Sequence, residues 1–363
     1  MSAKAEILKS FRQAAAAYPQ KGQIGYLCAY VPEELLSLGG LTPYRMRAPG
    51  CPGTDFADTY LGRVTCSYTR CLLEMAEEGK YDALDGLVFV TGCDHMRRLH
   101  DNLVYLKKPP RVINLDLPHK TSNEAVAWYA GELKRLAEFL EVDASEKSLS
   151  ASIRKRNRLR AIMGALDDLR ESDRPPLSGS EMLAVTSGIT TLPLDEGSDL
   201  LEELLGAARN EPGRSGYRAR LLMVSSQLDD PEYVKVLEAS GGLIVGEIGC
   251  TGASAFQGRV DERAPPFEAL ARRYLNRVPC PRMMEEHGAL FDSVRSLAKS
   301  RRADGVVLVA MKFCDTWGYA STLLSRKLRA AGVPVLRLER EYILAGEGQM
   351  ATRVQAFLES LGR

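Results

Sequence analysis

Cysteine is the residue type through which this chain could do chemistry. Eight are present in 363 residues, and two of them repeat a context. LDGLVFVTGCDHMRRL ends an apolar run at Cys93-Asp94, and ADGVVLVAMKFCDTWGY ends a similar run at Cys314-Asp315. Each thiol stands just past the carboxyl end of what reads as a central strand. Open α/β sheets bind ligands at that edge, because loops diverge there and helix N-termini face the crevice. Cys66 opens the helical segment TCSYTRCLLEMAEEG, with Thr65 as its expected cap. It could join the other two, since a helix N-terminus favours thiolate, the form that binds metal. All-thiolate ligation selects iron-sulfur, zinc or copper(I), and the absence of any Cys-x-x-Cys spacing leaves that choice open.

The remaining thiols divide. Cys71 follows Cys66 by five positions, a rotation of about 140° on a helix, and reads as core. Cys28 falls inside the expected strand IGYLCAYV and also reads as core. Cys250 in GEIGCTG, Cys280 in VPCP and Cys51 in APGCPG sit in turns from which each could approach the same cleft. Asp94 and Asp315 are expected to cap the helices that follow. His95 and His100, close to Cys93, are candidates for moving a proton or are simply helix-surface residues. Glu33 and Glu34 follow a proline at a helix start, where carboxylates suit the dipole without any catalysis. No G-x-x-x-x-G-K-[ST] loop and no G-x-G-x-x-G follows a strand, so ATP is not expected to bind here.

Strands must position these thiols. IGYLCAYV, DGLVFVTG (85–92), RVINLDLP (111–118), RLLMVSS (220–226), GGLIVGEIG (241–249), DGVVLVAMKF (304–313) and PVLRLERE (334–341) alternate with helical stretches. That alternation predicts parallel, doubly wound sheets. At about 150 residues per domain the length suits two or three domains. The expected organisation is α/β, two Rossmann- or flavodoxin-like domains over 1–121 and 216–363, joined by a helical connecting region over 122–215. The matched segments around Cys93 and Cys314 make the two domains look duplicated. With 48 Lys+Arg against 47 Asp+Glu there is no net field to gather phosphate backbones or anionic lipid, so neither nucleic acid nor membrane is an expected partner. The opening MSAKAEILKSFRQAAAAYPQ has no continuous apolar stretch and reads as a helix stopped by Pro19; a cytoplasmic location, with its thiols unpaired, is the expectation.

Taken together, YVPEELLSLGG, TCSYTRCLLE, DGLVFVTGCD, RNRLR followed by PPLSGSEML, VPCP, DGVVLVAMKFCD, AGVPVLRLEREY and GQMATRVQAFLESL resemble, in order, the iron-sulfur subunits of the 2-hydroxyacyl-CoA dehydratase and benzoyl-CoA reductase family. The resemblance implies a [4Fe-4S] cluster held by Cys66, Cys93 and Cys314. It implies low-potential one-electron transfer to a CoA thioester, in the setting of anaerobic metabolism, ending in dehydration or reduction. The electron would come from a separate activator that binds ATP, and a second subunit of the same fold would complete the enzyme as a heterodimer, or a second copy as a homodimer. Arg97, Arg98 and Lys312 would then be placed to meet CoA phosphates, or else be solvated surface charge. GEIGCTG and VPCP are similar to places where the related double-cubane cluster proteins recruit extra thiolates and reduce small molecules. An [8Fe-9S] double cubane needs about six protein ligands. Cys66, Cys93, Cys250, Cys280 and Cys314 supply five, with Cys51 or Cys71 as candidate sixth. A third alternative is an electron-relay subunit without its own substrate site.

Overall fold

The computed structural model describes residues 2–277, 280–284 and 286–362. Among them, eight strands form two parallel four-stranded sheets. In the first, β1 (Gln23–Tyr26), β2 (Thr42–Arg45), β3 (Gly86–Val90) and β4 (Val112–Leu115) lie in the order β2-β1-β3-β4. In the second, β5 (Ala219–Ser225), β6 (Gly242–Gly249), β7 (Gly305–Met311) and β8 (Val335–Arg340) lie in the order β6-β5-β7-β8. The winding is the same in both sheets, so the likeness of the two halves extends from one matched sequence segment to a complete shared topology.

The sequences GLVFV of β3 and GVVLVAM of β7 are buried at every position, as expected of strands covered on both faces by helices. Two differences from the sequence reading matter. The strand in IGYLCAYV ends at Tyr26, so Cys28 lies in the loop beyond it. β2, reading TPYR, carries no apolar run and went unrecognised. It is an edge strand, where the missing amide of Pro43 costs no ladder bond, and it is held by Tyr44, which is buried.

Helices Asn123–Leu140 and Pro266–Leu275 cover one face of the first sheet through Leu133, Leu136, Leu270 and Tyr274. Helices Ser67–Glu77 and Asp94–Lys107 cover the other through Leu72, Leu73, Leu99 and Leu103. Around the second sheet, Pro231–Ala239 and Glu347–Ser360 face His287–Ser300 and Asp315–Ala330. Helices Ala3–Ala16, Glu146–Asp168, Gly179–Ile189 and Leu194–Arg209 form a separate apolar cluster. The segment over 122–215 therefore does more than connect. Its first helix packs on the first sheet and on Pro266–Leu275 from the far half, while Gly179–Ile189 packs on Pro231–Ala239 and β6.

Buried ion pairs fasten these layers. Arg170, wholly enclosed, bonds Asp167 at 2.9 Å and Glu247 of β6 at 2.7 Å, and Arg301 reaches Asp167 at 2.7 Å. Glu34, also wholly enclosed, meets Arg160 at 2.6 Å and accepts from the Tyr274 hydroxyl at 2.7 Å. Glu33 pairs with Arg156 at 2.5 Å. Both carboxylates thus bind the first domain to helix Glu146–Asp168, beyond the helix-dipole role their position suggested. No helix of the described residues is long and apolar enough to cross a membrane.

Candidate metal centre

In each sheet the winding reverses direction between its two central strands, β1 and β3 in one and β5 and β7 in the other. The loops leaving those carboxyl ends part company and open a crevice. The two crevices face each other. Between them is a cavity of about 850 Å³, its open mouth included, lined by Cys28 and Cys93 from the loops after β1 and β3, Cys250 after β6, Cys314 after β7, and by Cys66 and Cys280.

Three of these thiols belong to helix starts. Cys66, Cys93 and Cys314 are the N-cap residues of helices Ser67–Glu77, Asp94–Lys107 and Asp315–Ala330. This displaces the expected caps. Thr65 lies one residue outside its helix, donating its hydroxyl to the Leu61 carbonyl, and Asp94 and Asp315 occupy the first turn. Three helix dipoles therefore present their positive ends to one cavity.

Burial works the other way while the site holds only thiols. It pushes the Cys93 thiol up to about 12 and Cys314 up to about 11, and it raises Cys66, Cys250 and Cys280 as well. The thiols also repel one another's ionisation: Cys93 feels Cys66, Cys314 and Cys28, and Cys250 feels Cys280, Cys314 and Cys28. The amides of Met96 and Trp317 oppose the rise at Cys93 and Cys314, without closing a cap bond of ordinary length. A bound cation inverts this balance, since a coordinating thiol is deprotonated outright.

The walls supply compensating charge. Arg45, Arg277 and Arg282 all line the cavity. Arg45 donates to the Cys250 carbonyl at 2.6 Å and to Gln227 Oε1 at 3.3 Å; its Nε, like that of Arg277, is buried without a partner among the described residues. Arg282 donates to the carbonyls of Gly92 at 2.9 Å, Pro118 at 2.6 Å and Leu117 at 3.0 Å, tying the Cys280 segment to the Cys93 loop. The Trp317 indole donates to Cys250 Sγ at 3.3 Å. None of these four residues was singled out from the sequence. Arg45 in the unrecognised β2 and Arg277 beside VPCP carry no spacing that marks them.

The donor set fits an anionic iron-sulfur centre: soft thiolates, buried guanidinium groups and an N–H donor to sulfur. Among the described residues no three His, Cys, Asp or Glu side chains are close enough to share one metal ion. A tetrahedral site with metal–sulfur bonds of about 2.3 Å needs its thiolates within about 4 Å of one another. A cluster of several irons holds them further apart.

The remaining residues divide between the cavity and its surroundings. Cys28, read as core, lines the cavity. Cys51 and Cys71 do not, and instead interact with each other, which lowers the Cys51 thiol and raises Cys71. Of the VPCP turn, Val278 and Pro279 lie outside the described residues. His95 Nδ1 accepts the Cys66 amide at 3.3 Å, and its Nε2 stands 3.8 Å from Asp315 across the domain boundary. His100 packs edge-on against Phe89 at 5.2 Å, away from the cavity. Arg98 pairs with Asp94 at 3.5 Å and Lys312 approaches Glu341 at 3.9 Å; neither they nor Arg97 line the thiol cavity.

The sequence profile described as 2-hydroxyglutaryl-CoA dehydratase, D-component, matches residues 28–361. Among curated proteins, the putative dehydratase subunit YjiM of Escherichia coli is 27% identical over 353 residues, 93% of this chain and 91% of its own length. The (R)-phenyllactyl-CoA dehydratase beta subunit of Clostridium sporogenes is 23% identical over 349 residues, covering 94% and 93%. A benzoyl-CoA reductase subunit of Thauera aromatica is 24% identical over 322 residues, covering 84% and 81%.

Proposed function

The chain belongs to the 2-hydroxyglutaryl-CoA dehydratase D-component family, and from that premise we propose that it is an iron-sulfur reductase subunit whose cluster is held by Cys28, Cys66, Cys93, Cys250, Cys280 and Cys314. The observation that carries this reading is the meeting of six thiols, three on each half of the fold, around one cavity. Six is about the number required by a double cubane, in which each cubane keeps three thiolates and a shared sulfide joins them. When bound, such a centre supplies electrons one at a time at low potential.

The chain's own residues do the rest. Helix starts at Cys66, Cys93 and Cys314 favour thiolate. Arg45, Arg277 and Arg282 balance negative charge, apolar walls such as Leu27 and Met311 keep water out, and Trp317 fixes the Cys250 sulfur. A second subunit of the same fold and a separate ATP-binding activator complete the proposal, in keeping with relatives named as subunits.

A second reading has Cys66, Cys93 and Cys314 alone holding a [4Fe-4S] cluster and an acyl-CoA as substrate; the names of those relatives favour its substrate. Iron and sulfide analysis after anaerobic reconstitution separates the two. About eight irons per chain is the result expected, falling to about four or fewer in Cys28→Ser and Cys250→Ser. About four irons in the wild type, unchanged in both variants, supports the three-thiolate site, and no iron refutes both.

A further inference from the structure

A cluster gripped by six thiols fills the space between the sheets, so a substrate has to meet it from an adjoining one. Besides a cavity of about 1170 Å³ that shares only Arg277 and is lined by Arg259, Arg272 and Arg273, two further cavities among the described residues share wall residues with the thiol cavity. One, of about 420 Å³, shares Ala29 and Arg45, but its polar side chains are engaged with each other: Glu33 with Arg156, and Arg160 with Glu34 and the Tyr274 hydroxyl. The other, of about 670 Å³, shares Cys280 and Thr316.

This second chamber has a different character. Met283, Leu290 and Ala320 give it apolar walls, and Tyr319, 80% exposed, and Leu323, 40% exposed, stand at its rim. No lysine or arginine is among the described residues that line it, so no such side chain of its wall offers a phosphate an ion pair. Its unengaged polar group is His287, the first residue of helix His287–Ser300, whose Nε2 is buried with no hydrogen-bond partner among the described residues. Burial and the nearby Lys327 hold that imidazole below its ordinary pKa, in the neutral form. Glu286, the helix N-cap, is the chamber's carboxylate and accepts a long bond from the Thr121 hydroxyl at 3.4 Å.

We infer that this chamber is the substrate pocket of the centre, taking a small, uncharged, largely apolar molecule whose polar end is held by His287, with Cys280 and Thr316 forming the face shared with the cluster. The assignment presupposes the cluster proposed above and goes beyond it by naming where, and in what chemical class, substrate binds.

Methyl isocyanide and its tert-butyl analogue carry the same iron-seeking end on bodies of different size. Added to the reduced, iron-loaded protein, methyl isocyanide is expected to change the electron paramagnetic resonance spectrum, and the tert-butyl compound to require at least tenfold more. Ala320→Phe, which fills the chamber, and Leu323→Trp, which narrows its rim, should each raise the half-saturating methyl isocyanide concentration at least tenfold at unchanged iron content and unchanged ligand-free spectrum. His287→Gln should raise it severalfold. Loaded variants that respond as wild type does, or a loaded wild type that responds to neither compound, would overturn the pocket while leaving the cluster standing. A wild type that takes up no iron removes the cluster itself.

Discussion

Arg45→Met removes one positive charge from the wall of the thiol cavity at nearly constant volume. Arg45 is 5% exposed and bonds the carbonyl of Cys250, so its guanidinium is fixed beside a proposed ligand. A sphere equal to the cavity of about 850 Å³ has a radius near 6 Å, which sets a wall guanidinium roughly 8 Å from the centre. At an effective dielectric of about 20, a unit charge at that range interacts with one added electron by about 2 kcal/mol. Since about 1.4 kcal/mol corresponds to about 59 mV for a one-electron couple, the effect is about 90 mV. The reduced state, being more negative, loses more when the cation goes, so the midpoint potential of Arg45→Met should fall by that order. Arg45→Lys keeps the charge and should shift by less than about half as much. The measurement is a redox titration followed by electron paramagnetic resonance on protein with its iron content checked. The orphaned Cys250 carbonyl adds a stability loss of about 1–3 kcal/mol, read separately from the urea midpoint. A fully loaded Met variant whose potential rises, or moves by under about 20 mV, would refute the charge-balancing role.

Two further outcomes follow from buried titratable groups. Glu34→Gln leaves Arg160 enclosed without its carboxylate and should cost about 3–5 kcal/mol in urea unfolding at neutral pH. Arg160 and the Tyr274 hydroxyl hold the Glu34 carboxyl below its ordinary range, so in wild type this contribution is intact above the usual carboxylate pKa and lost as pH falls through the lowered value; a variant with the same acid-unfolding profile as wild type contradicts it. In the cluster-free protein, Cys93 and Cys314 stay protonated up to about 12 and about 11, against 9.0 for a free thiol. Their neutral burial therefore stabilises the fold below pH 9 and ceases to do so as pH rises through those values. Thermal unfolding of the iron-free chain should show this alkaline loss, and Cys93→Ala with Cys314→Ala should diminish it.

Much of this architecture was legible because it rests on apolar runs. DGLVFV and DGVVLV could only be strands buried on both faces, and a cysteine just past such a strand has to stand at the ligand-binding edge. Cys93, Cys250 and Cys314 reach the cavity for that reason, whereas Cys66 reaches it as a helix N-cap and Cys280 from the segment after helix Pro266–Leu275. Cys28 was misplaced because IGYLCAYV has no residue that breaks it, whereas the chain turns after Tyr26 to satisfy the sheet register, Tyr26 pairing with Arg45 on one side and Val88 on the other. β2 was missed because a short edge strand containing proline needs only one buried aromatic, Tyr44, and leaves no periodic trace. The guanidinium groups of Arg45, Arg277 and Arg282 were equally silent, since arginine is ordinarily solvated and their burial is decided by segments that meet only in three dimensions.

Phe313, immediately before Cys314, sits at φ 60 and is 47% exposed. A bulky side chain in the left-handed region costs roughly 1–2 kcal/mol, and the residue at the matching position before Cys93, Gly92, does not enter that region. The two lobes therefore stand on unequal footings: the carboxyl-terminal loop is loaded like a bent spring by its left-handed phenylalanine, and the amino-terminal one has no counterpart to it. The pseudo-symmetric pair is thus mechanically one-handed, with backbone strain on the Cys314 side.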